Sequence, residues 1–439
     1  MRVYFIGVGG IGVSSLAQYY LAQGADVFGS DLASSEITDL LKEKGAKLLF
    51  GKQKSENLPK DVDLVIYSPA VEKTNPELKY FRETRVKCKS YPEALGELTK
   101  KYFTIAISGA HGKSTTTAMV ALVLAKAGLD PTVIVGTKLK EFGNSNFRPG
   151  GPAKSPYGDR GVNKYLVIEA DEWNASFLNY WPRIIVLTNI EREHLDYYKD
   201  LSHILKTFKE YVGHLPKDGV LVANGDDANI SKLKFKTQNY FLKQKESAIL
   251  RKILKVPGEH NVSNALAALT VARVLKIPDK ISFEALSKYK GAWRRFEERE
   301  SKIKNLKLKI IDDYGHHPTE INATLKAARE KFPNKKIWCV FQPHQYQRTF
   351  YLFKDFVKVF KNAPVDKIII TDIYSVAGRE AATIKKKVNS QKLVEAIKKP
   401  NVIYLATNRI KDYLKKNLKG GEIVIIMGAG SIYELSSSL

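Results

Sequence analysis

With 439 residues, 44% of them hydrophobic, the chain is too long for one core, and a soft prior of roughly 150 residues per domain predicts about three domains. No run approaches the ~18 apolar residues of a membrane span, and two cysteines, Cys88 and Cys339, without metal-ligand spacing exclude a disulfide framework. The formal net charge of +25 raises a nucleic-acid reading, but the lysines are spread along the whole length with no aromatic-interleaved basic arm, so a solvated surface that attracts polyanionic nucleotides is expected.

The start, Met1-Arg-Val-Tyr-Phe-Ile-Gly, enters a strand directly without a signal peptide, which predicts a soluble cytoplasmic protein. Residues 1–8 read as a buried strand, Gly7-Val-Gly-Gly-Ile-Gly12 opens a helix to about Gln23, and residues 26–30 form a second strand ending at Asp31. A G-x-G-x-x-G turn with an acidic residue about twenty positions on is the dinucleotide fingerprint, so an NAD oxidoreductase stays open here. The pattern equally suits the diphosphate of a UDP-sugar. Residues 62–68 form a strand running into Ser68, and 91–101 a helix and connector.

Next, Ile105-Ala-Ile-Ser-Gly-Ala-His-Gly-Lys-Ser-Thr-Thr-Thr117 breaks from an apolar run into a Gly-rich turn and a helix start. It reads as a phosphate cradle over Gly109, Ala110, His111, Gly112, Lys113, Ser114 and Thr115. Backbone N–H groups of the turn and the helix N-terminus face the phosphates, Lys113 reaches the β/γ oxygens, and the Ser114 hydroxyl ligates Mg²⁺. The full G-x-x-x-x-G-K-[ST] pattern wants glycine where Ile107 stands, leaving the shorter Gly109-x-x-Gly112-Lys113-Ser114. An ordinary strand-to-helix turn is the plain alternative, but Gly-His-Gly-Lys gives up both helix and strand propensity, which calls for a ligand.

Residues 115–127 continue as helix and 132–135 as strand, whereas 143–163, rich in Gly, Pro, Asn and Ser, read as a mobile loop. Strand 165–168 delivers Glu169-Ala-Asp-Glu172, and strand 184–188 delivers Asn189-Ile-Glu-Arg-Glu-His194-Leu-Asp196, at the ends where ligands of parallel sheets bind. Jointly, after a phosphate loop, they favour a metal shell. Asn264 precedes a small-residue helix, 265–272, and reads either as an adenine contact or as a cap. Trp293-Arg-Arg-Phe296 marks a hinge into a third αβ unit with strands 309–311, 337–341, 367–371, 402–405 and 423–427. Polar groups end three of these: Asp312-Asp-Tyr-Gly-His-His-Pro318, Gln342-Pro-His-Gln-Tyr-Gln-Arg348 and Asp372-Ile-Tyr. His316, His317, His344 and Arg348 form a polar cluster that packing alone does not require.

This ordered set of motifs, over essentially the whole chain, resembles the Mur ligases of peptidoglycan precursor synthesis. The Asp-Tyr-Gly-His-His-Pro and Phe-Gln-Pro-His segments resemble the branch that joins L-alanine to UDP-N-acetylmuramate. The resemblance implies an α/β protein of three domains: an N-terminal Rossmann-like UDP-sugar domain (1–98), a central P-loop ATPase-type domain with a mostly parallel sheet (99–293), and a C-terminal Rossmann-like domain contributing to ATP and amino-acid binding (294–439). Carried over by position, Gly9, Gly10, Ile11, Gly12, Asp31 and Ser68 meet the UDP-sugar. Lys113 holds the ATP phosphates, Ser114 and Glu169 meet one Mg²⁺ (or Mn²⁺), and His194 a second. Asn264 contacts adenine, Arg295 the phosphates and Asp313 the ribose, while Tyr314, His316, His344 and Arg348 line the amino-acid site. The implied chemistry is attack of the sugar's carboxylate on the γ-phosphorus of ATP, giving an acyl phosphate that the amine of alanine displaces, with His316 as candidate proton acceptor. The resemblance implies no nucleic-acid or membrane partner, and a monomer or homodimer.

Four positions depart from the family pattern. Ala110 and Ser114 stand in a loop that usually reads Gly-Thr-His-Gly-Lys-Thr, and Lys52 follows Gly51 where Gly-His is usual. Gln345 replaces an arginine beside the amino-acid carboxylate, which loosens the alanine assignment. A Mur-type ligase for another amino acid, or one that recycles murein peptides, is the close alternative. A carbamylated Lys209 near the metals is a further expectation of the family.

Overall fold

The computed structural model describes residues 1–56, 58–158, 161–303, 306–376, 380 and 382–439. The chain divides into two compact units, residues 1–190, 205–244 and 264–289 forming the first and 191–204, 245–263 and 290–439 the second. Among the described residues no helix is long and apolar enough to cross a membrane.

The first unit holds two sheets. Strands β1 (Arg2–Ile6), β2 (Asp26–Asp31), β3 (Lys47–Phe50), β4 (Leu64–Tyr67) and β5 (Cys88–Ser90) form an all-parallel sheet in the order β3-β2-β1-β4-β5. The order reverses at β1, so the turn after β1 opens on the crevice where such sheets bind ligands. The second sheet contains β6 (Phe103–Ser108), β7 (Thr132–Leu139), β8 (Ser145–Arg148), β9 (Tyr165–Glu169), β10 (Ile184–Leu187), β11 (Val220–Asn224) and β12 (Gln238–Tyr240), ordered β12-β11-β10-β6-β9-β7-β8. β6 is central, flanked by β10 and β9, so the ends of both neighbours rise beside the turn that follows it.

In the second unit, β13 (Glu297–Ile303), β14 (Leu306–Asp313), β15 (Ile337–Phe341), β16 (Lys367–Ile370), β17 (Val402–Tyr404) and β18 (Ile423–Met427) are ordered β13-β14-β18-β15-β16-β17, with β13 alone antiparallel to its neighbour. Parallel strands covered on both faces read as unbroken apolar runs rather than alternations, as Ile423-Val-Ile-Ile-Met427 does. Ile425 and Met427 pack with Phe341 and Ile370 on one face, while Val424 and Ile426 pack with Val340 and Ile369 on the other.

The structure corrects two expectations. Residues 143–163 are not loop throughout: Ser145–Arg148 is a strand, antiparallel to β7. Its side chains lock onto the Ile11–Ala22 helix, with Gln18 Nε2 donating to Asn146 Oδ1 at 2.7 Å, Ser145 Oγ to Gln18 Oε1 at 2.9 Å and Asn146 Nδ2 to Ser14 Oγ at 2.9 Å. Polar side chains supply the order that apolar periodicity does not announce; residues 159–160 of that stretch lie outside the described residues. Nor does Asn264 cap a helix, because the helix runs Glu259–Val274 and Asn264 lies inside it.

Candidate active site

After β6 the backbone turns through Gly109 (φ +131°) and Gly112 (φ +82°) into the Lys113–Lys126 helix. Both glycines are demanded twice over. Their φ lies in the left-handed region, and a Cβ would sit 2.3 Å from Thr188 Oγ1 at Gly109 and 2.4 Å from Asn264 Oδ1 at Gly112. Asn264 Oδ1 also accepts from Thr116 Oγ1 at 3.2 Å, so this side chain buttresses the turn.

Lys113 curls back over the turn. Its Nζ donates to Gly109 O at 2.7 Å and to Glu172 Oε2 at 2.9 Å and Oε1 at 3.2 Å, with Asp171 at 3.8 Å. Burial pushes this ammonium toward neutrality, but Glu172 and then Asp171 override it and hold the pKa raised, so the lysine is charged. Ser114 Oγ donates to Glu169 Oε1 at 2.6 Å, and Glu169 Oε2 takes the Gly136 N–H. A hydroxyl and a carboxylate at the N-terminus of a helix, with two further carboxylates around one lysine, form an oxygen donor set of the kind hard divalent cations prefer. The residues present therefore fit Mg²⁺ or Mn²⁺.

One part of the expected cradle is arranged differently. The N–H groups of Ala110 and His111 do not face outward, being bonded to Asn189 O (3.1 Å) and Asn189 Oδ1 (2.8 Å). The donors left to meet an anion at this turn are the first-turn N–H groups of the helix and the Lys113 ammonium.

At the first sheet, Gly9 N donates to Asp31 Oδ2 at 2.7 Å and Leu32 N to Asp31 Oδ1 at 2.7 Å. One carboxylate oxygen of Asp31 thus braces the glycine turn and the other its own following backbone, whereas a dinucleotide fold would turn the carboxylate to a ribose. The Ser68 Cβ lies 3.0 Å from the Cβ position of Gly7, and the Tyr91 ring covers Gly12, which leads with Gly10 and Ile11 into the Ile11–Ala22 helix.

The second unit brings together the predicted histidine–arginine cluster. The Tyr314 and His316 rings meet edge to face at 5.4 Å, His316 and His344 lie 5.7 Å apart, and His344 stacks on Tyr374. Arg348 Nη1 contacts His344 Nδ1 at 3.1 Å. Arg348 already has a counter-ion: Nη2 and Nε donate to Glu193 Oε1 at 2.7 and 3.0 Å, both side chains being 7% exposed. Burial would raise the Glu193 carboxyl, but Arg348 together with His194, His317 and His316 outweighs it and holds it well below the usual range. Burial lowers His316 to about 4, with Glu320 raising and Arg348 lowering it further, so the ring is neutral. Its Nδ1 lies 3.0 Å from Tyr314 O, which favours Nδ1–H and leaves Nε2 as acceptor.

Asp313 is turned inward, accepting from Phe296 N at 2.9 Å, Gly315 N at 2.8 Å and Thr324 Oγ1 at 3.2 Å. Arg295 contacts Glu320 at 3.3 Å and lies over the Tyr314 ring. Gln345 and His194, both with left-handed φ (+72° and +55°), line one pocket with Arg192, Glu193, Asp196 and Arg348. Lys209 is exposed on the Leu201–Val212 helix. Sequence reasoning gave no separate role to Glu172, Asn189 or Glu193. Their signal was a polar residue just past a strand end, inside motifs read for other members.

A glycine turn leading from a central strand into a Lys-Ser helix start, with carboxylates from the next strand gripping both side chains, defines an α/β enzyme that handles nucleotide phosphates. The chain belongs to the Mur ligase family. Family models match throughout: "Mur ligase family, catalytic domain" over residues 2–103, "Mur ligase middle domain" over 107–272 and "Mur ligase, glutamate ligase domain" over 294–430. Proteins named UDP-N-acetylmuramate–L-alanine ligase from Clostridium botulinum and Acetivibrio thermocellus are 38% and 40% identical, covering 99% of this chain and 96% and 94% of theirs. Among solved structures, the UDP-N-acetylmuramate–alanine ligase MurC of Thermotoga maritima superposes with a TM-score of 0.79 at 26% identity, covering 100% of this chain and 98% of that one. A murein peptide ligase from Psychrobacter arcticus shares the fold, with a TM-score of 0.72 at 23% identity over 100% and 98% of the two chains.

Proposed function

We propose that the protein is an ATP-dependent ligase that forms an amide bond between UDP-N-acetylmuramate and L-alanine through an acyl phosphate, in the cytoplasm, as a monomer or homodimer without nucleic-acid or membrane partners. The observation that carries this reading is the near-complete match, at 38–40% identity, to relatives bearing that name. The Lys113, Ser114, Glu169 and Glu172 arrangement supplies the chemistry it needs.

In this reading the domains are 1–98 for the UDP-sugar, 99–293 for ATP and 294–439 for closing on nucleotide and amino acid. Ser114 and Glu169 would hold Mg²⁺ or Mn²⁺ and His194 a second ion; bound there, the metal supplies positive charge to phosphoryl oxygens. Lys113 leaves Glu172 for the phosphates and remains charged as negative charge shifts off the γ-phosphoryl group. No protein nucleophile is required, because the sugar's carboxylate attacks and the work is alignment. Asn264 is assigned to the adenine side of the turn, Arg295 to phosphates and Asp313 to the ribose, the last through a short shift of its inward carboxylate. Tyr314, His316, His344 and Arg348 are assigned to the amino acid, with neutral His316 Nε2 able to take a proton from the attacking amine. The experiment is ADP release by purified protein with UDP-N-acetylmuramate, screened against amino acids one at a time. Release only with an amino acid other than alanine would move the substrate assignment, and no release with any would sink it.

A further inference from the structure

We propose that Asn189, assisted by Thr188, is the positioning residue of the phosphate loop, clamping the His111 backbone at both of its polar groups so that the helix N-terminus and Lys113 are preset for a di- or triphosphate. The inference rests on the ATP-dependent reading above and concerns how the loop is held rather than which residues touch the nucleotide.

The loop has an intrinsic weakness. It lacks the first glycine of the longer phosphate-loop pattern, and its middle, Ala110-His111, lies between two left-handed glycines, outside both strand and helix. Fixing such residues costs backbone entropy. If that ordering happened only on binding, it would be subtracted from phosphate affinity.

The end of β10 supplies what the loop lacks. The Asn189 amide meets His111 as a neighbouring strand would, Oδ1 accepting the His111 N–H at 2.8 Å while Nδ2 donates to the His111 carbonyl at 3.0 Å. Asn189 O takes the Ala110 N–H at 3.1 Å, and Thr188 Oγ1 donates to the same His111 carbonyl at 2.6 Å. An amide is the one side chain of this reach with a donor and an acceptor side by side. The clamp is itself anchored from β11 and the turn after it. Asn224 Nδ2 holds Thr188 O at 3.0 Å, Asp227 Oδ2 accepts from Ile190 N at 3.2 Å, and Asn229 Nδ2 holds Ile190 O at 2.8 Å. With the peptides on either side of Asn189 fixed, its amide cannot follow the loop; the loop must follow it.

The test uses the full-length protein and the variants Asn189→Ala, Asn189→Asp and Thr188→Val. Calorimetric affinities for ADP and AMP with Mg²⁺ are measured beside KM for ATP and for UDP-N-acetylmuramate. Asn189→Ala is expected to weaken ADP about tenfold and raise KM for ATP similarly, leaving AMP and the UDP-sugar KM within twofold. Asn189→Asp keeps the acceptor but faces a carboxylate to the His111 carbonyl, and should do no better. Thr188→Val removes one bond at nearly constant shape and should cost ADP about threefold, so the proposal stays testable even where Asn189→Ala fails to fold. ADP affinity unchanged in Thr188→Val and in the folded Asn189 variants, or ADP and AMP weakened equally, would overturn it. If the parent protein binds ADP but releases none from ATP with any amino acid, the ligase reading fails while a selective ADP loss still upholds the clamp.

Discussion

Glu193→Gln sets two effects of the Arg348 pair against each other. At 2.7 Å and an effective dielectric constant of about 20, the Glu193–Arg348 attraction is about 6 kcal/mol. Desolvating two buried ions takes back a large part, but removing one partner leaves the other buried and uncompensated, at a typical cost of ~3–5 kcal/mol. Because both side chains are only 7% exposed, solvent screening relieves little of this. The variant should therefore unfold at clearly lower denaturant. Its Arg348 would be released for the carboxylate of the incoming amino acid, so KM for alanine should fall by roughly tenfold, equivalent to ~1.4 kcal/mol, and alanine should raise the melting temperature more than in the parent. Denaturant unfolding, melts with and without alanine, and steady-state kinetics together read both effects. Lower stability with an unchanged or raised KM for alanine would show that the amino-acid carboxylate does not dock on Arg348; unchanged stability would refute the energetic argument itself.

Lys113→Ala is expected to abolish ligation, a barrier increase of several kcal/mol, while UDP-sugar binding measured by calorimetry stays nearly intact; equal loss of both would mean the two sites are wrongly divided. His316 sits at about 4 in the folded protein against an ordinary 6.5, so the unfolded chain takes up a proton first as pH falls. Its contribution is present above pH 6.5 and lost toward pH 4, and His316→Asn should flatten the stability profile in that window by up to about 3 kcal/mol; parallel profiles for the two proteins would refute it. Gln345→Arg, which adds a cation to a pocket where Glu193 already neutralises Arg348, should lower KM for alanine by roughly tenfold with little effect on KM for ATP; an unchanged or raised value would show that Gln345 serves another acceptor.

Most of the fold was legible because parallel strands buried on both faces leave continuous apolar runs, and β15 and β18 stand at the residues expected of them. β13 was not legible for the opposite reason. As an edge strand it reads Glu297-Glu-Arg-Glu-Ser-Lys-Ile303, a charged run, and its order comes from pairing with β14 and from Glu298 bonding to Lys309 at 2.8 Å. β8 was hidden similarly, its place set by amide side chains that meet a helix well over a hundred residues away in the chain.

The site divides along the same line. The glycines and Lys113-Ser114 can be read from the sequence because their chemistry depends on near neighbours. Asn189 cannot, because its partner His111 lies 78 residues away, and they meet only because β10 and β6 are adjacent and in register, Leu187 beside Ser108. Arg348 shows the consequence for charge. From its motif it reads as a free cation awaiting a carboxylate, yet a glutamate 155 residues earlier already occupies it. The net charge offered to the amino acid therefore cannot be counted from the segment that supplies the arginine. It depends on whether Glu193 yields, so exchanging Glu193 and exchanging Gln345 act on one electrostatic balance. Their effects on alanine binding should be smaller in combination than in sum, and a double variant that proves strictly additive would show that the two residues face different ligand groups.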